Sequence, residues 1–195
     1  IILNADTLQN ANLSEDETQT ALFYIQRQCK WLERMIQKLL KLITLKQDID
    51  IKKASVYRLF SSVEESTAET LRQREISLVT DCRTDTLNID ADLMQSVLIN
   101  LVDNASKASA PGQTVTLCAY DNVIEVSGQG TGIPQSEIDR IMEPFYVVDK
   151  SRSKKMGGNG LGLALVNEIV SAHDANLTIQ STLGVGTTLR IAFKQ

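Results

Sequence analysis

Leu22, Ile25, Cys29, Leu32, Ile36, Leu39 and Ile43 recur at alternating steps of three and four. That is an a/d seam held for three heptads, the pattern of a helix packed in a coiled coil or bundle. A strict 3.5-residue period favours a partner helix, in this chain or in a second one. Ser14 followed by Glu15, Asp16 and Glu17 suits the start of that helix, a capping hydroxyl with acids matched to the dipole. Residues 1–12 read as the end of another helix, with Asn10-Ala11-Asn12 as its exit. Residues 1–46 are therefore expected to be the remnant of a helical hairpin that dimerises.

From about Asp48 the pattern changes. Val56, Leu59, Phe60, Val63 and Leu71 predict an amphipathic helix, and Ile76 to Val79 a short strand. Asp90 can cap a further helix whose apolar face is Met94, Val97, Leu98, Leu101, Ala105 and Ala108. Thr114 to Tyr120 and Val123 to Ser127 alternate or run apolar around Asp121-Asn122, a hairpin signal. Leu161 to Ala172 reads as a helix; Leu177 to Gln180 and Thr188 to Phe193, joined through Gly184-Val185-Gly186, read as a second hairpin. Helices and mostly antiparallel strands in this order predict an α+β fold, a two-layer α/β sandwich with one sheet backed by helices.

Composition narrows the function. With 43% apolar and 23% charged residues over 195 positions, the chain can bury a core and is not disordered. No apolar run is long enough to span a membrane, and no signal-peptide pattern opens the chain. A net charge of -4 is a poor basis for non-specific nucleic-acid binding. Cys29, Cys82 and Cys118 are odd in number and widely spaced, which fits a reducing compartment better than a disulfide scaffold. A single histidine, His173, excludes a multi-histidine metal site.

Against that background four features carry chemistry. Asn100, Asp103, Asn104 and Lys107 fall at i, i+3, i+4 and i+7, one polar stripe on the helix from Asp90. Alone it could be solvated surface. Gly128-Gln129-Gly130-Thr131-Gly132-Ile133-Pro134 follows a predicted strand, and Gly157-Gly158-Asn159-Gly160-Leu161-Gly162-Leu163 opens a helix. Backbone N–H groups at such a start suit a phosphate, although neither run completes a Walker or dinucleotide-binding motif. Between them lie Glu143-Pro144-Phe145-Tyr146 and the basic stretch Lys150, Arg152, Lys154, Lys155, which reads as a lid over a polyanion or as a solvated charge run.

In this order the features resemble the ATP-binding domain of bacterial sensor histidine kinases, in the superfamily of gyrase, Hsp90, histidine kinase and MutL ATPases. Asn100 to Lys107 resembles the N box, Gly128 to Pro134 the G1 box, Glu143 to Tyr146 the F box and Gly158 to Leu163 the G2 box. Gly184-Val185-Gly186-Thr187 resembles the family's last glycine turn, with its threonine beside the nucleotide. Leu22 to Ile43 resembles the second helix of the dimerisation and phosphotransfer domain, and Ile1 to Leu8 the end of its first. The resemblance implies a Bergerat-type ATP-binding domain over 47–195, after a partial hairpin over 1–46.

It also implies roles. Asn104 would offer its carboxamide oxygen to Mg²⁺ bridging the phosphates of ATP, with Asn100 one turn earlier helping to hold that region. Lys107 would meet phosphate as a point charge. Gly158, Gly160 and Gly162, with Leu161 and Leu163, would bring backbone amides to the phosphates. Gly128, Gly130, Gly132, Ile133 and Thr187 would line the nucleotide, while Phe145, Tyr146 and the lid fold over it and Lys150 or Arg152 neutralises its charge. Asp103 would polarise the accepting histidine, or form an ion pair with Lys107. Hydrolysing relatives carry a glutamate at position 100; a carboxamide is no general base, so Asn100 favours phosphoryl transfer to a protein side chain. The implied partners are a response regulator and a second copy through the N-terminal helices, with no nucleic acid and no direct membrane contact. The implied location is the cytoplasmic part of an inner-membrane-anchored sensor.

Two departures qualify this. The family's G1 box begins with an aspartate that accepts a hydrogen bond from the adenine amino group; here that position is Gly128. Losing a bond to a charged group costs roughly 1.5–3 kcal/mol. Gln129 cannot replace it, because adjacent side chains on an extended segment point to opposite faces. Either the site binds ATP poorly by nature, as a degenerate module would, or Gly128 is a substitution for that aspartate. The second departure is the phosphoaccepting histidine, expected upstream of Ile1. His173, near a helix C-terminus, reads as structural.

Overall fold

The computed structural model describes residues 14–44, 49–148 and 160–194. The chain divides into two compact units, Ile1–Lys41 and Leu42–Gln195. Most of α1 (Glu15–Thr44), the long helix that the heptad seam predicts, belongs to the first. Its start is a reciprocal capping box. Glu17 N–H donates to Ser14 Oγ at 3.3 Å, and Ser14 N–H donates to the Glu17 carboxylate at 2.9 Å, so each side chain satisfies a donor the helix cannot. Hydrogen bonds from Ser14 hold the Glu17 carboxyl below its ordinary range. Leu22, Cys29, Leu32 and Ile36 of the seam are exposed and Ile25 is half-buried. The expected helix end at 1–12 lies outside the described residues.

Among the described residues, the second unit has a five-stranded sheet with three α-helices on one face. In chain order it comprises β1 (Lys52–Ser55), α2 (Val56–Gln73), β2 (Ser77–Cys82), β3 (Thr86–Ile89), α3 (Ala91–Ala108), β4 (Thr114–Tyr120), β5 (Val123–Gly128), α4 (Gly162–Ala172), β6 (Asn176–Thr182) and β7 (Gly186–Ala192). The sheet runs β2-β4-β5-β7-β6, antiparallel except where β2 lies parallel to β4. That parallel step requires a crossover, and α3 supplies it.

Side-chain alternation fixes which face the helices cover. Val115, Leu117 and Ala119 of β4, Ile124 and Val126 of β5, and Leu189 and Ile191 of β7 are buried, while their sequence neighbours are not. Met94, Val97, Leu98 and Leu101 of α3 are fully buried against them, each worth about 1.5–3 kcal/mol of transfer free energy. The start of α3 is where the sequence puts it, with Asp90 accepting from Leu93 N–H at 3.0 Å.

Three details differ from expectation. β1 and β3 pair antiparallel as a small separate sheet, Lys52 opposite Ile89. The second strand runs to Cys82, beyond the predicted Val79. The buried arc of α3 includes Val102 and Ser106, whereas Ala105 is only half-buried. α3 packs against α2 on one side and α4 on the other, so its buried surface is wider than a single stripe.

Candidate active site between α3 and the start of α4

Helices α3 and α4 run antiparallel, and the polar stripe of α3 faces the beginning of α4. A Cβ placed on Gly162, the first residue of α4, would lie 3.2 Å from Asn100 Oδ1 and 3.6 Å from Asn104 Nδ2. The two carboxamides therefore meet the glycine turn; they are half-buried and not simple solvated surface. Asn100 is oriented by its own helix, donating from Nδ2 to Ser96 O at 2.7 Å, with Oδ1 left on the Gly162 side. Leu161, buried at the cap position of α4, makes no side-chain cap hydrogen bond. The leading N–H groups of a helix carry its positive dipole end and suit an anion.

The opposite wall is the end of the sheet. Gly128 closes β5, paired with Val115 on β4 and Thr187 on β7. It faces inward, since a Cβ there would lie 3.2 Å from Ala105 Cβ and 3.7 Å from Ser109 Oγ. Gln129 points elsewhere, accepting from Thr114 N–H at 3.3 Å, as strand alternation requires. Thr187 Oγ1 lies 2.7 Å from Ser181 Oγ, which also accepts from Ile133 N–H at 2.8 Å. The loop after β5 is thus held between the end of α3, where Thr131 N–H donates to Ala108 O at 3.1 Å, and the β6–β7 turn, where Gly184 N–H donates to Thr131 O at 2.8 Å. Gly130 lies against Ala108. Gly132 has a φ of 69°, and any Cβ there would collide with Thr182 O; only glycine fits.

Phe145 N–H donates to Gly160 O at 3.0 Å, joining the segment after the loop to the chain just before α4. Gly160, at φ 68°, passes so close to Phe145 and Tyr146 that no Cβ fits. The Phe145 ring is exposed, while the Tyr146 hydroxyl donates to Glu137 and Arg140 stacks 4.2 Å over its ring. Leu161 is buried and Leu163 packs against the core. Lys150, Arg152 and Gly158, with the whole basic stretch, lie outside the described residues.

Asp103 sits at the edge of the stripe between two cations. Lys107 Nζ lies 2.7 Å from Oδ2 and Arg74 Nη1 2.8 Å from Oδ1. Burial pushes the carboxyl up, but the Lys107 charge and hydrogen bond, and then those of Arg74, outweigh it and hold the group below its ordinary value. Arg74, at the C-cap of α2, was not expected from the sequence, because nothing local marks a pairing across 29 positions.

His173 is 6% exposed and both ring nitrogens are engaged. Nδ1 lies 2.7 Å from Ile169 O, and Nε2 accepts from Asp90 N–H at 3.0 Å. The structural reading of this histidine holds: it ties the end of α4 to the start of α3. A broad open depression, lined among others by Thr116, Ser127, Gln180 and Thr188, lies largely on the outer face of the sheet, away from the asparagines. None of the described residues that line it is charged.

Residues 89–195 match the model of the histidine kinase-, DNA gyrase B- and HSP90-like ATPase family. Similar curated proteins include the sensor histidine kinase WalK of Bacillus subtilis, 39% identical over 53% of this chain and 18% of its own length. The circadian input-output histidine kinase CikA of Synechococcus elongatus is 33% identical over 75% of this chain and 20% of its own length. The chain thus spans about a fifth of these relatives. Among solved structures, Acinetobacter baumannii histidine kinase AdeS superposes with a TM-score of 0.70 at 18% identity, covering 100% of this chain and 95% of that one. Full-length ShkA in complex with AMPPNP gives 0.74 at 21% identity, covering 99% and 43%; at such identities the likeness is one of fold. With both glycine turns and the asparagine stripe inside the matched region, the chain belongs to the histidine kinase-, DNA gyrase B- and HSP90-like ATPase family, as a catalytic domain of the kind found in sensor histidine kinases.

Proposed function

We propose that this site binds Mg-ATP and presents its γ-phosphate to a histidine outside this sequence, from which the phosphoryl group passes to an aspartate of a response regulator. The observation that carries the reading is the meeting of Asn100 and Asn104 with Gly162 at the start of α4. The residues fit the cofactor. Among the described residues no cluster of histidine, cysteine or carboxylate could hold a metal alone. A Mg²⁺ ion here would take oxygen from Asn104 and otherwise from phosphates and water, which is how Mg²⁺ commonly accompanies nucleotides. The ion would neutralise charge on the transferring phosphoryl group.

The chain's own contribution is positioning. Asn100 and Asn104 orient the metal and phosphate region, and the amides of Gly162 and Leu163 face the phosphates. Lys107 adds a charge, while Gly128, Gly130, Gly132, Ile133 and Thr187 line the other end. Phe145, Tyr146 and the segment containing Lys150, Arg152 and Gly158 cover the nucleotide. Asn100 offers no base to activate water, which favours transfer over hydrolysis. Asp103, already paired twice, acts as a charge partner in this reading. Residues 1–46 serve as part of a dimerising hairpin, supported by the exposed Leu22, Leu32 and Ile36, and 47–195 as the ATP-binding domain. The parent is placed as a membrane-anchored sensor with this portion in the cytoplasm; no described helix is long and apolar enough to cross a membrane.

Gly128 favours one alternative, a degenerate module that acts through dimerisation and regulator binding. Calorimetry with Mg-ADP separates the two. Micromolar binding supports the kinase reading, and absence of binding at millimolar ligand supports the degenerate one. Mixing the chain and Mg-ATP with a helical hairpin bearing an acceptor histidine should yield phosphohistidine, and failure of both the chain and its Gly128→Asp variant to do so overturns the proposed transfer.

A further inference from the structure

We infer that His173 is a positioning residue for the site, setting the axial register of α4 against α3 through one tautomer of its ring; the inference rests on the nucleotide reading above. The two ring nitrogens have opposite duties. Ile169 O, 2.7 Å from Nδ1, is an acceptor, so Nδ1 carries the hydrogen. Asp90 N–H, 3.0 Å from Nε2, is a donor, so Nε2 carries none. The first bond stays inside α4 and the second crosses to the start of α3. Asp90 is itself fixed, Oδ1 accepting from Leu93 N–H at 3.0 Å and Oδ2 from Asp50 N–H at 3.1 Å. The imidazole is buried edge-on to Phe193, with ring centroids 6.4 Å apart.

This bond and the candidate site lie at opposite ends of one antiparallel helix pair. About 15 Å of α3 separate Asp90 from Asn100, and about 16 Å of α4 separate Gly162 from His173. Gly162 meets Asn100 and Asn104 at one end, and His173 meets Asp90 at the other. Between the two, α4 buries Ala164, Leu165, Val166, Ile169 and Val170, all aliphatic. Aliphatic contact is non-directional, whereas a hydrogen bond fixes both a distance and a direction. A slip of α4 by a single residue would carry Gly162 about 1.5 Å along the asparagine stripe. His173 acts through the two helices without touching nucleotide, by holding the first amides of α4 at their place beside Asn104.

The test is a pair of substitutions that each keep one of the two bonds. In His173→Gln an amide oxygen lies as many bonds from the backbone as Nε2 and can accept from Asp90 N–H. In His173→Asn an amide N–H lies where Nδ1 does and can donate to Ile169 O, while Asp90 N–H loses its acceptor. Calorimetry should show Mg-AMPPNP weakened about threefold to tenfold in His173→Asn, the net worth of one neutral hydrogen bond, and within about twofold of the original in His173→Gln. Equal affinities in the two variants, or a greater loss in His173→Gln, overturn the inference, because ring packing or the bond to Ile169 O would then carry the effect. Two ligand-free measurements keep it separable from the functional reading. NMR of the imidazole nitrogens in the unaltered chain should show Nδ1 protonated and Nε2 bare, and the opposite tautomer overturns the inference. Backbone amide resonances of Gly162 and Leu163 should move in His173→Asn and stay in place in His173→Gln; no difference between the variants sinks the inference alone. If these signatures are present but the unaltered chain binds no Mg-AMPPNP at millimolar ligand, the nucleotide reading fails while the register role of His173 stands.

Discussion

The two ends of the site are built differently. At the start of α4, the carboxamides of Asn100 and Asn104 meet a helix terminus, and on the same stretch of α3 Asp103 is paired with Lys107 and with Arg74 of α2. At the end of β5, the wall is Gly128 against Ala105, with hydroxyls of Ser109 and Thr187 nearby and no charged group among these four. One end is equipped for charge and the other is stripped of it. A pocket so divided should recognise polyphosphate more strongly than it recognises a base, and each substitution below bears on one end or the other.

Asn104→Ala should have the largest effect, a loss of Mg-nucleotide affinity of more than about a hundredfold, since the charged end then loses its metal-ligating oxygen. Stability should change little, because the side chain is half-buried and asparagine is a poorer helix former than alanine by about 0.5–0.7 kcal/mol. Calorimetry and thermal unfolding check both halves. Unchanged nucleotide binding removes Asn104 from the site.

Gly128→Asp acts on the other end and should raise adenosine affinity by about ten- to a hundredfold, the worth of a hydrogen bond to a charged group. The structure leaves nearly enough room: Ala105 Cβ, 3.2 Å from the new Cβ, must give by a few tenths of an ångström. If adenosine binds no better, the base does not lie against Gly128, and the contrast between the two ends loses its meaning.

The legibility of this molecule followed the same division between local and non-local signals. Helices α2, α3 and α4 were readable because apolar residues repeat on one face, and Asp90 announces the start of α3. Both hairpins were readable from alternation on either side of a turn. Lys52-Lys53-Ala54-Ser55 has no alternation, and its strand exists because β3 lies beside it. The stripe of Asn100 and Asn104 was visible as a spacing, but that it meets Gly162 depends on how α3 and α4 pack. Arg74 gave no signal for the same reason. Gln129 was correctly excluded from Gly128's face, because strand alternation is a local rule.

Lys107→Ala should weaken Mg-ATP by about fivefold while leaving adenosine unchanged, since a partly exposed lysine contributes charge and little shape. Equal weakening of both ligands would move Lys107 away from the phosphates and blur the contrast between the ends.

The smallest effect concerns acid. The Asp103 carboxyl is held below its ordinary value in the folded chain, with Lys107 and Arg74 outweighing burial. A carboxylate lowered by folding contributes stability that is fully present above its unfolded pKa, near 3.9, and is lost as pH falls through the folded value. Other carboxylates titrate in the same range, so the informative quantity is the difference between the wild type and Asp103→Asn. At neutral pH the wild type should be more stable by less than about 1 kcal/mol, because the pair is partly solvated. Below pH 4 that margin should shrink toward zero. Urea unfolding at pH 7, 4 and 2.5 measures it, and a margin that stays constant with pH would mean that neither cation is coupled to Asp103. The ion pairs at the charged end of the site would then contribute nothing to its stability.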